Sequence, residues 1–127
     1  MLDTLHLEDN GVPIYVQIRD QILTAVGSGV LRPGERLPTM REVAVALKVD
    51  LNTVRHAYEA AQETGAIVLV RSRGTFVAEP PPPLDAEAQQ LRLDRLAYQS
   101  VAAAGAAGLD PKTLGQRIVA IAKGEKP

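Results

Sequence analysis

Four consecutive prolines at residues 80–83 constrain the fold of this 127-residue chain more than any other feature. Proline has no backbone N–H and a fixed φ, so a run of four fits neither a helix interior nor a central strand. Such a run is typical of a stiff, extended spacer of about 3 Å per residue. We therefore expect two folding units, residues 1–79 and 84–127, joined by a proline linker at 80–83.

The composition excludes several classes of protein. The chain contains no cysteine, which excludes disulfide scaffolds and thiolate zinc sites. It has only two histidines, His6 and His56, so we expect no metal site. No apolar run approaches the roughly 20 residues that span a bilayer, and the first residues lack the pattern of a signal peptide. We therefore expect a protein of the cytoplasm with no membrane partner.

Apolar residues at three- and four-residue spacing predict three helices in the first unit. The first begins with Pro13 at its first helical position, and the second begins at a capping box formed by Thr39 and Glu42. The third begins after the N-cap Asp50 and ends at Gly65. The predicted core of these helices contains Tyr15, Ile18, Ile22, Val43, Leu47, Val54 and Tyr58.

A β-branched run follows the third helix. Residues 66–70 and 75–77 predict two short strands, and the turn at 71–74 carries two arginines. Three helices followed by a hairpin is the order of a winged helix-turn-helix, so the predicted fold class is mainly α with a small β-hairpin. This fold requires a left-handed conformation at Lys48, which costs roughly 1 kcal/mol for a residue other than glycine.

The second unit is rich in alanine and leucine and predicts two amphipathic helices. One runs over residues 84–104 and is broken by Gly105 and Gly108, and the other begins with Asp110 as its N-cap. We expect their apolar faces to pair with a second copy of the chain; the alternative is that they pack onto their own winged helix. The residues expected at this dimer interface are Leu91, Leu93, Leu96, Tyr98, Val101, Leu114, Ile118 and Ile121.

Four motif blocks occur in order within residues 13–79. They read L-P-T-x-R-E from Leu37, N-T-V-R-x-A-Y from Asn52, G-x-I from Gly65 and G-T-F-V from Gly74. Together they resemble the DNA-binding domain of the GntR family of bacterial transcription regulators. The opening P-I-Y-x-Q-I block and the short tail resemble its YtrA-type subgroup.

The resemblance implies a winged helix that binds a double-stranded DNA operator, with the third helix in the major groove and the wing against the backbone or minor groove. It also implies a homodimer. The resemblance, together with the face of the third helix that points away from the core, implies a set of DNA-binding residues. They are Thr39, Arg41, Leu51, Asn52, Thr53, Arg55, His56, Arg71, Arg73 and Gly74.

Several of these residues have a purely structural alternative. Thr39 is explained by its N-cap role alone, and Asn52 and Thr53 are explained by capping in the first helical turn. Arg55 and His56 are explained as exposed polar side chains, and the same holds for Arg41. These alternatives stay open at the level of the sequence.

Several residues depart from the family pattern. Asp50 and Leu51 stand where the family often has Ser and Arg, which removes one base-reading arginine. In the wing, Ser72 stands where Gly is common, and Val70 stands near the place of a common basic residue. Residues 13–79 hold eight Lys or Arg and seven Asp or Glu, a net charge of +1. One copy is therefore expected to bind DNA weakly.

We hypothesise a dimeric transcriptional repressor that binds a palindromic operator through the third helix and the wing at 66–78. The alternative is an adaptor that uses the winged helix to bind another protein. We expect no enzymatic activity and no cofactor, because no nucleophile–base pair or phosphate-binding glycine loop is present. We expect no small-molecule effector domain, because 44 residues after the proline run are too few to enclose a pocket.

Overall fold

The structure, a computed structural model, describes residues 1–80 and 85–124. The chain divides into two compact units, Met1–Pro80 and Pro81–Pro127. The predicted linker residues 81–83 and the predicted helix start at Leu84 lie outside the described residues. Among residues 1–80 and 85–124, none of the helices combines the length and the hydrophobicity of a transmembrane span.

The first unit contains three helices and a two-stranded antiparallel hairpin, and the second contains two helices. This order confirms the predicted fold class. The elements are α1 (Ile14–Gly27), α2 (Met40–Leu47), α3 (Leu51–Glu63), β1 (Ile67–Val70), β2 (Gly74–Val77), α4 (Ala86–Ala106) and α5 (Pro111–Ala122).

An apolar stripe packs α1 against the core. Ile18 and Ile22 are fully buried, and Tyr15 and Val26 are partly buried against the same core. Pro13 is the N-cap of this helix, so the helix begins one residue later than predicted. The fixed φ of proline suits the start of a helix. At Pro13, however, the ψ angle is 142°, so the backbone of this residue is extended and not helical.

Local capping defines α2 and α3 as predicted. The Thr39 hydroxyl accepts from the Glu42 N–H at 3.1 Å, and the Glu42 carboxylate accepts from the Thr39 N–H at 3.0 Å, which confirms the capping box. The Asp50 carboxylate accepts from the Asn52 N–H at 3.2 Å and caps α3. Between the two helices Lys48 is left-handed, with φ 56° and ψ 47°, as predicted.

The wing has a third extended segment that the sequence did not predict. Residues 34–37 run along the edge of β2 that β1 leaves unoccupied, and the Leu37 N–H donates to the Thr75 carbonyl at 2.8 Å. Arg36 lies directly opposite Phe76 in this pairing. The chain is therefore attached to the wing immediately before α2 begins.

One core holds the first unit together. Tyr15 and Leu47, both predicted to lie in it, are only partly buried at its margin. The buried residues come from all three helices, from both strands and from the segments between α1 and α2. They are Ile18, Ile22, Leu31, Leu37, Val43, Val54, Ala57, Tyr58, Ala61, Ile67 and Val77.

Two glutamines of α1 bind the N-terminal segment. The Gln17 side-chain amide accepts from the Glu8 N–H at 2.8 Å and donates to the Glu8 carbonyl at 2.9 Å. One turn later the Gln21 side-chain amide makes the same two hydrogen bonds with the backbone of His6, at 3.1 and 2.7 Å. The side chains of this segment that pack at the margin of the core are Met1, Leu2, Leu5 and Leu7.

In the second unit α4 ends two residues later than predicted, at Ala106. It continues through Gly105, where a break was expected, and the chain turns only at Gly108, with φ +74°. A single glycine costs a helix about 1 kcal/mol, and the alanines around it are the best helix formers, so the helix persists. The Leu109 N–H donates to the Ala104 carbonyl at 2.8 Å and closes the helix end. The N-cap of α5 is Asp110, as predicted.

Replacing Lys48 by glycine is expected to stabilise the first unit by about 1 kcal/mol, because glycine adopts a positive φ without steric strain at Cβ. Lys48→Ala is the matched control, because it removes the side chain and keeps the Cβ. Urea unfolding followed by circular dichroism measures both variants. Equal stability of the two variants would show that the left-handed turn between α2 and α3 is unstrained.

Candidate nucleic-acid interface

One face of α3 is buried, so its opposite face is available for binding. The buried face consists of Val54, Ala57, Tyr58 and Ala61. Among the predicted DNA-binding residues of this helix, Asn52, Arg55 and His56 are exposed, whereas Leu51 and Thr53 are half-buried. The helical period therefore separates the groups that hold α3 in place from those that can meet a ligand.

Two of the exposed side chains on α3 are joined by a hydrogen bond. The Arg55 Nη1 donates to the Asn52 Oδ1 at 3.1 Å, as their three-residue spacing on a helix allows. This bond leaves the Asn52 amide nitrogen and the other guanidinium N–H groups available as donors. An amide and a guanidinium are the side-chain groups that recognise purine edges in the major groove.

His56 is more than an exposed helix residue. Its ring stacks on the ring of Tyr15 in α1, with centroids 3.7 Å apart and planes inclined by 12°. The stack covers one face of the imidazole, so a ligand reaches His56 at the ring edge or at the other face. No local pattern predicts this contact, because the two residues are far apart in the chain and Tyr15 was expected in the core.

The start of α2 is anchored to α3. The buried Tyr58 hydroxyl donates to the carbonyl of Pro38, the residue before Thr39, at 2.6 Å. Burial raises the pKa of Tyr58 above its usual value, and the negative charge of Glu42 adds to the effect, so the hydroxyl keeps its proton. Thr39 itself is exposed, and its hydroxyl oxygen caps the helix.

The wing turn is formed by two residues with positive φ. Ser72 has φ +67° and Gly74 has φ +123°. Serine thus occupies a left-handed position at which glycine is common in the resembled family, at a cost of roughly 1 kcal/mol. Arg71 and Arg73 flank Ser72 and are both exposed.

The predicted DNA-binding arginines are not neutralised by acidic neighbours. In residues 1–80 and 85–124, the ion pairs within 4 Å join the N-terminal amine to Asp3, His6 to Glu8, and Arg19 to Asp20. None involves a predicted DNA-binding residue. The arginines concerned are Arg41, Arg55, Arg71 and Arg73. Their charge is therefore available to an anion, although the net charge of the unit is small.

A sequence profile described as bacterial regulatory proteins of the gntR family matches residues 14–77, which run from the start of α1 to the end of β2. The chain belongs to the GntR family. The membership confirms the resemblance that the four motif blocks indicate.

Relatives support the YtrA-type subgroup. The repressor YtrA of Bacillus subtilis is 37% identical over 70 residues, 55% of this chain and 54% of that protein. The structure of YtrA from Sulfolobus acidocaldarius, a GntR-family transcription factor, has a TM-score of 0.56 and 32% identity and covers 77% of this chain and 97% of that one. This chain spans about half the length of such curated relatives.

Two similar structures contain DNA, and both are operator complexes of the DNA-binding domain of AraR. The DNA-binding domain of AraR, in complex with operator ORX1, has a TM-score of 0.52 and 29% identity. It covers 57% of this chain and 87% of that one. The first unit thus resembles a domain whose operator complex is known.

The predicted dimer residues of the second unit are largely uncovered. Leu91 is 66% exposed and Tyr98 77% exposed, values that are high for large apolar side chains. Leu114 and Ile121 are half-buried. The other exposed members of the set are Leu93, Leu96, Val101 and Ile118.

The capping box is expected to make stability depend on acid pH. Hydrogen bonds from the Thr39 N–H and hydroxyl hold the pKa of Glu42 below its ordinary value, with a smaller contribution from Arg36. A depressed pKa stabilises the folded state above the unfolded-state pKa of 4.5, and this stabilisation is lost as pH falls through the lower folded-state value. The advantage of the wild type over Glu42→Gln in urea unfolding should therefore be larger at pH 7 than at pH 3. An equal advantage at both pH values would contradict the capping role of the charge.

Proposed function

We propose that the chain is a sequence-specific DNA-binding transcription regulator that acts as a dimeric repressor on a palindromic operator. The observation that carries the proposal is the hydrogen-bonded Asn52–Arg55 pair on the exposed face of α3, in a GntR-family winged helix. The similarity to the operator-bound domain of AraR and to the repressor YtrA supports it. The comparisons give no support to the alternative of a protein-binding adaptor.

In this proposal the N-terminal half of α3 reads base edges. The Asn52 amide suits adenine, which presents a donor and an acceptor in the major groove, and Arg55 suits the two acceptors of guanine or a phosphate. Leu51 offers an apolar contact to a thymine methyl group, and Thr53 offers a hydroxyl. His56, held against Tyr15, lies one turn beyond Asn52.

The remaining residues of the proposed interface bind the DNA backbone. Thr39 and Arg41 lie at the start of α2, where backbone N–H groups and the helix dipole favour a phosphate. Arg71, Arg73 and Gly74 are proposed to place the wing against the backbone or in the minor groove. These contacts position α3 and add affinity for any sequence.

Dimerisation would compensate for weak binding by one copy. A first unit with a net charge of +1 between residues 13 and 79 gains little from counterion release. Two linked units that bind two half-sites gain affinity through effective concentration, by roughly 10²–10⁴-fold. The exposed apolar residues of α4 and α5 are proposed as the surface that joins two copies.

Asn52→Ala and Arg55→Ala are each expected to weaken binding to a selected operator by about 1–3 kcal/mol, because each removes a base contact. Both side chains are exposed, so stability should change by less than about 0.5 kcal/mol. Gln62→Ala, an exposed amide at the other end of α3, is the matched control. Gel-shift titration on a duplex selected from random DNA measures the loss. Wild-type affinity in both variants would show that α3 does not read the operator.

A chain that ends at Pro80 is expected to be a folded monomer. Its core is complete, and the Ala78 N–H, which donates to the Ala66 carbonyl at 2.9 Å, is retained. Sedimentation equilibrium distinguishes it from the full chain, which should be a dimer. Leu96→Glu in the full chain is the complementary variant, since a charge in an apolar interface opposes association. A dimeric truncated chain would place the interface in the winged helix instead.

A further inference from the structure

Arg36 occupies a defined position that none of the motif blocks includes. It lies in the extended segment beside β2, directly opposite Phe76. Its neighbour Leu37 is buried in the core, and successive residues of an extended strand point to opposite faces. Arg36 is therefore on the outer face of the wing, and it is exposed.

The guanidinium of Arg36 lies over Gly74. A Cβ atom built on Gly74 would be 3.0 Å from Nε and 3.3 Å from Nη2 of Arg36. Gly74 and Phe76 share a face of β2, so the arginine reaches diagonally from its own partner to the glycine. The missing side chain at Gly74 thus makes room for this contact, besides allowing the φ of +123°.

This placement puts one more positive charge between the two elements proposed to contact the DNA backbone. Arg36 and Thr39 border the same open groove, which has a volume of about 730 Å³, and Gly74 is the end of the wing turn. Three acidic side chains, Asp3, Glu35 and Glu42, also border the groove. Asp3 pairs with the N-terminal amine at 3.6 Å, and the two glutamates accept backbone hydrogen bonds, Glu35 from Arg32 and Glu42 from Thr39. In residues 1–80 and 85–124 no carboxylate lies within 4 Å of the Arg36 guanidinium.

A guanidinium in this situation suits a phosphodiester. Its planar fork of N–H donors matches the geometry of two phosphate oxygens, and it is weakly hydrated for a cation. The contact with Gly74 also restricts the long side chain before DNA arrives, which lowers the entropy that binding must overcome.

We propose that Arg36 binds a backbone phosphate of the operator at the junction of α2 and the wing, and that its contact with Gly74 holds it there. The inference rests on the proposed function. It adds a phosphate contact to an interface in which positive charge is scarce, and it assigns Gly74 a second role as the support of that contact.

Arg36→Gln in the full-length protein tests the proposal, with Arg19→Gln as the matched control. Both changes remove one positive charge from the first unit, and Arg19 is already paired with Asp20. Fluorescence anisotropy at several salt concentrations is measured on the selected operator and on an unrelated duplex. We expect Arg36→Gln to bind both duplexes roughly tenfold more weakly and to reduce the slope of log K against log salt by about 0.9, with Arg19→Gln close to the wild type.

Arg36→Lys distinguishes two roles of Arg36, a contact between its positive charge and a phosphate and a purely structural bracing of the wing. A phosphate contact predicts that lysine keeps the wild-type salt slope, because the charge is retained. A role confined to bracing predicts that lysine and glutamine are equally impaired, with unchanged slopes, and this result would overturn the proposal. Wild-type binding by Arg36→Gln would overturn it as well. Failure of the wild type to bind any selected duplex would instead overturn the proposed function, and the inference with it.

Discussion

The burial of one face of α3 is the constraint on which the first unit depends. Ala57 and Ala61 are completely buried, and because their side chains end at Cβ, the neighbouring elements pack close to the helix backbone. Tyr58, on the same face, reaches the Pro38 carbonyl and so ties the start of α2 to α3. With this face held, the Asn52–Arg55 pair points away from the core by helical geometry alone.

The features that were predictable are those that depend on residues close together in the chain. The capping box at Thr39, the N-cap at Asp50 and the left-handed Lys48 each involve a span of four residues or fewer, within which sequence preferences are strong. The exposure of Asn52 and Arg55 follows from the 3.6-residue period in the same way.

The features that were missed depend on contacts between distant parts of the chain. The pairing of residues 34–37 with β2 could not be read from a segment with only one apolar residue in four positions. The stack of His56 on Tyr15 requires the packing of α1 on α3 to be known. Gly105 shows the opposite case. Its glycine predicted a break in α4, but the helix runs through it because the neighbouring alanines favour the helical conformation.

The first unit has a small net charge, but its charges are arranged so that several arginines remain available to bind an anion. Acidic residues act as helix caps, at Glu42 and Asp50, and in such positions they accept hydrogen bonds from the backbone. The arginines proposed to meet DNA have no such partners among the described residues. A carboxylate that caps a helix stabilises the fold while the nearby cations keep their charge for an outside ligand.

The glutamine pair of α1 has a consequence for how the N-terminal segment can vary. Four residues of helix rise about 6 Å, and two residues of extended chain span about 6.6 Å. Gln17 and Gln21 therefore match the spacing of Glu8 and His6, and at these two residues they bond only to backbone atoms. The residues at 6 and 8 are thus free to change in identity, whereas an insertion or deletion between them would put one glutamine out of register. At these two positions selection is expected to act on chain length more than on side-chain chemistry.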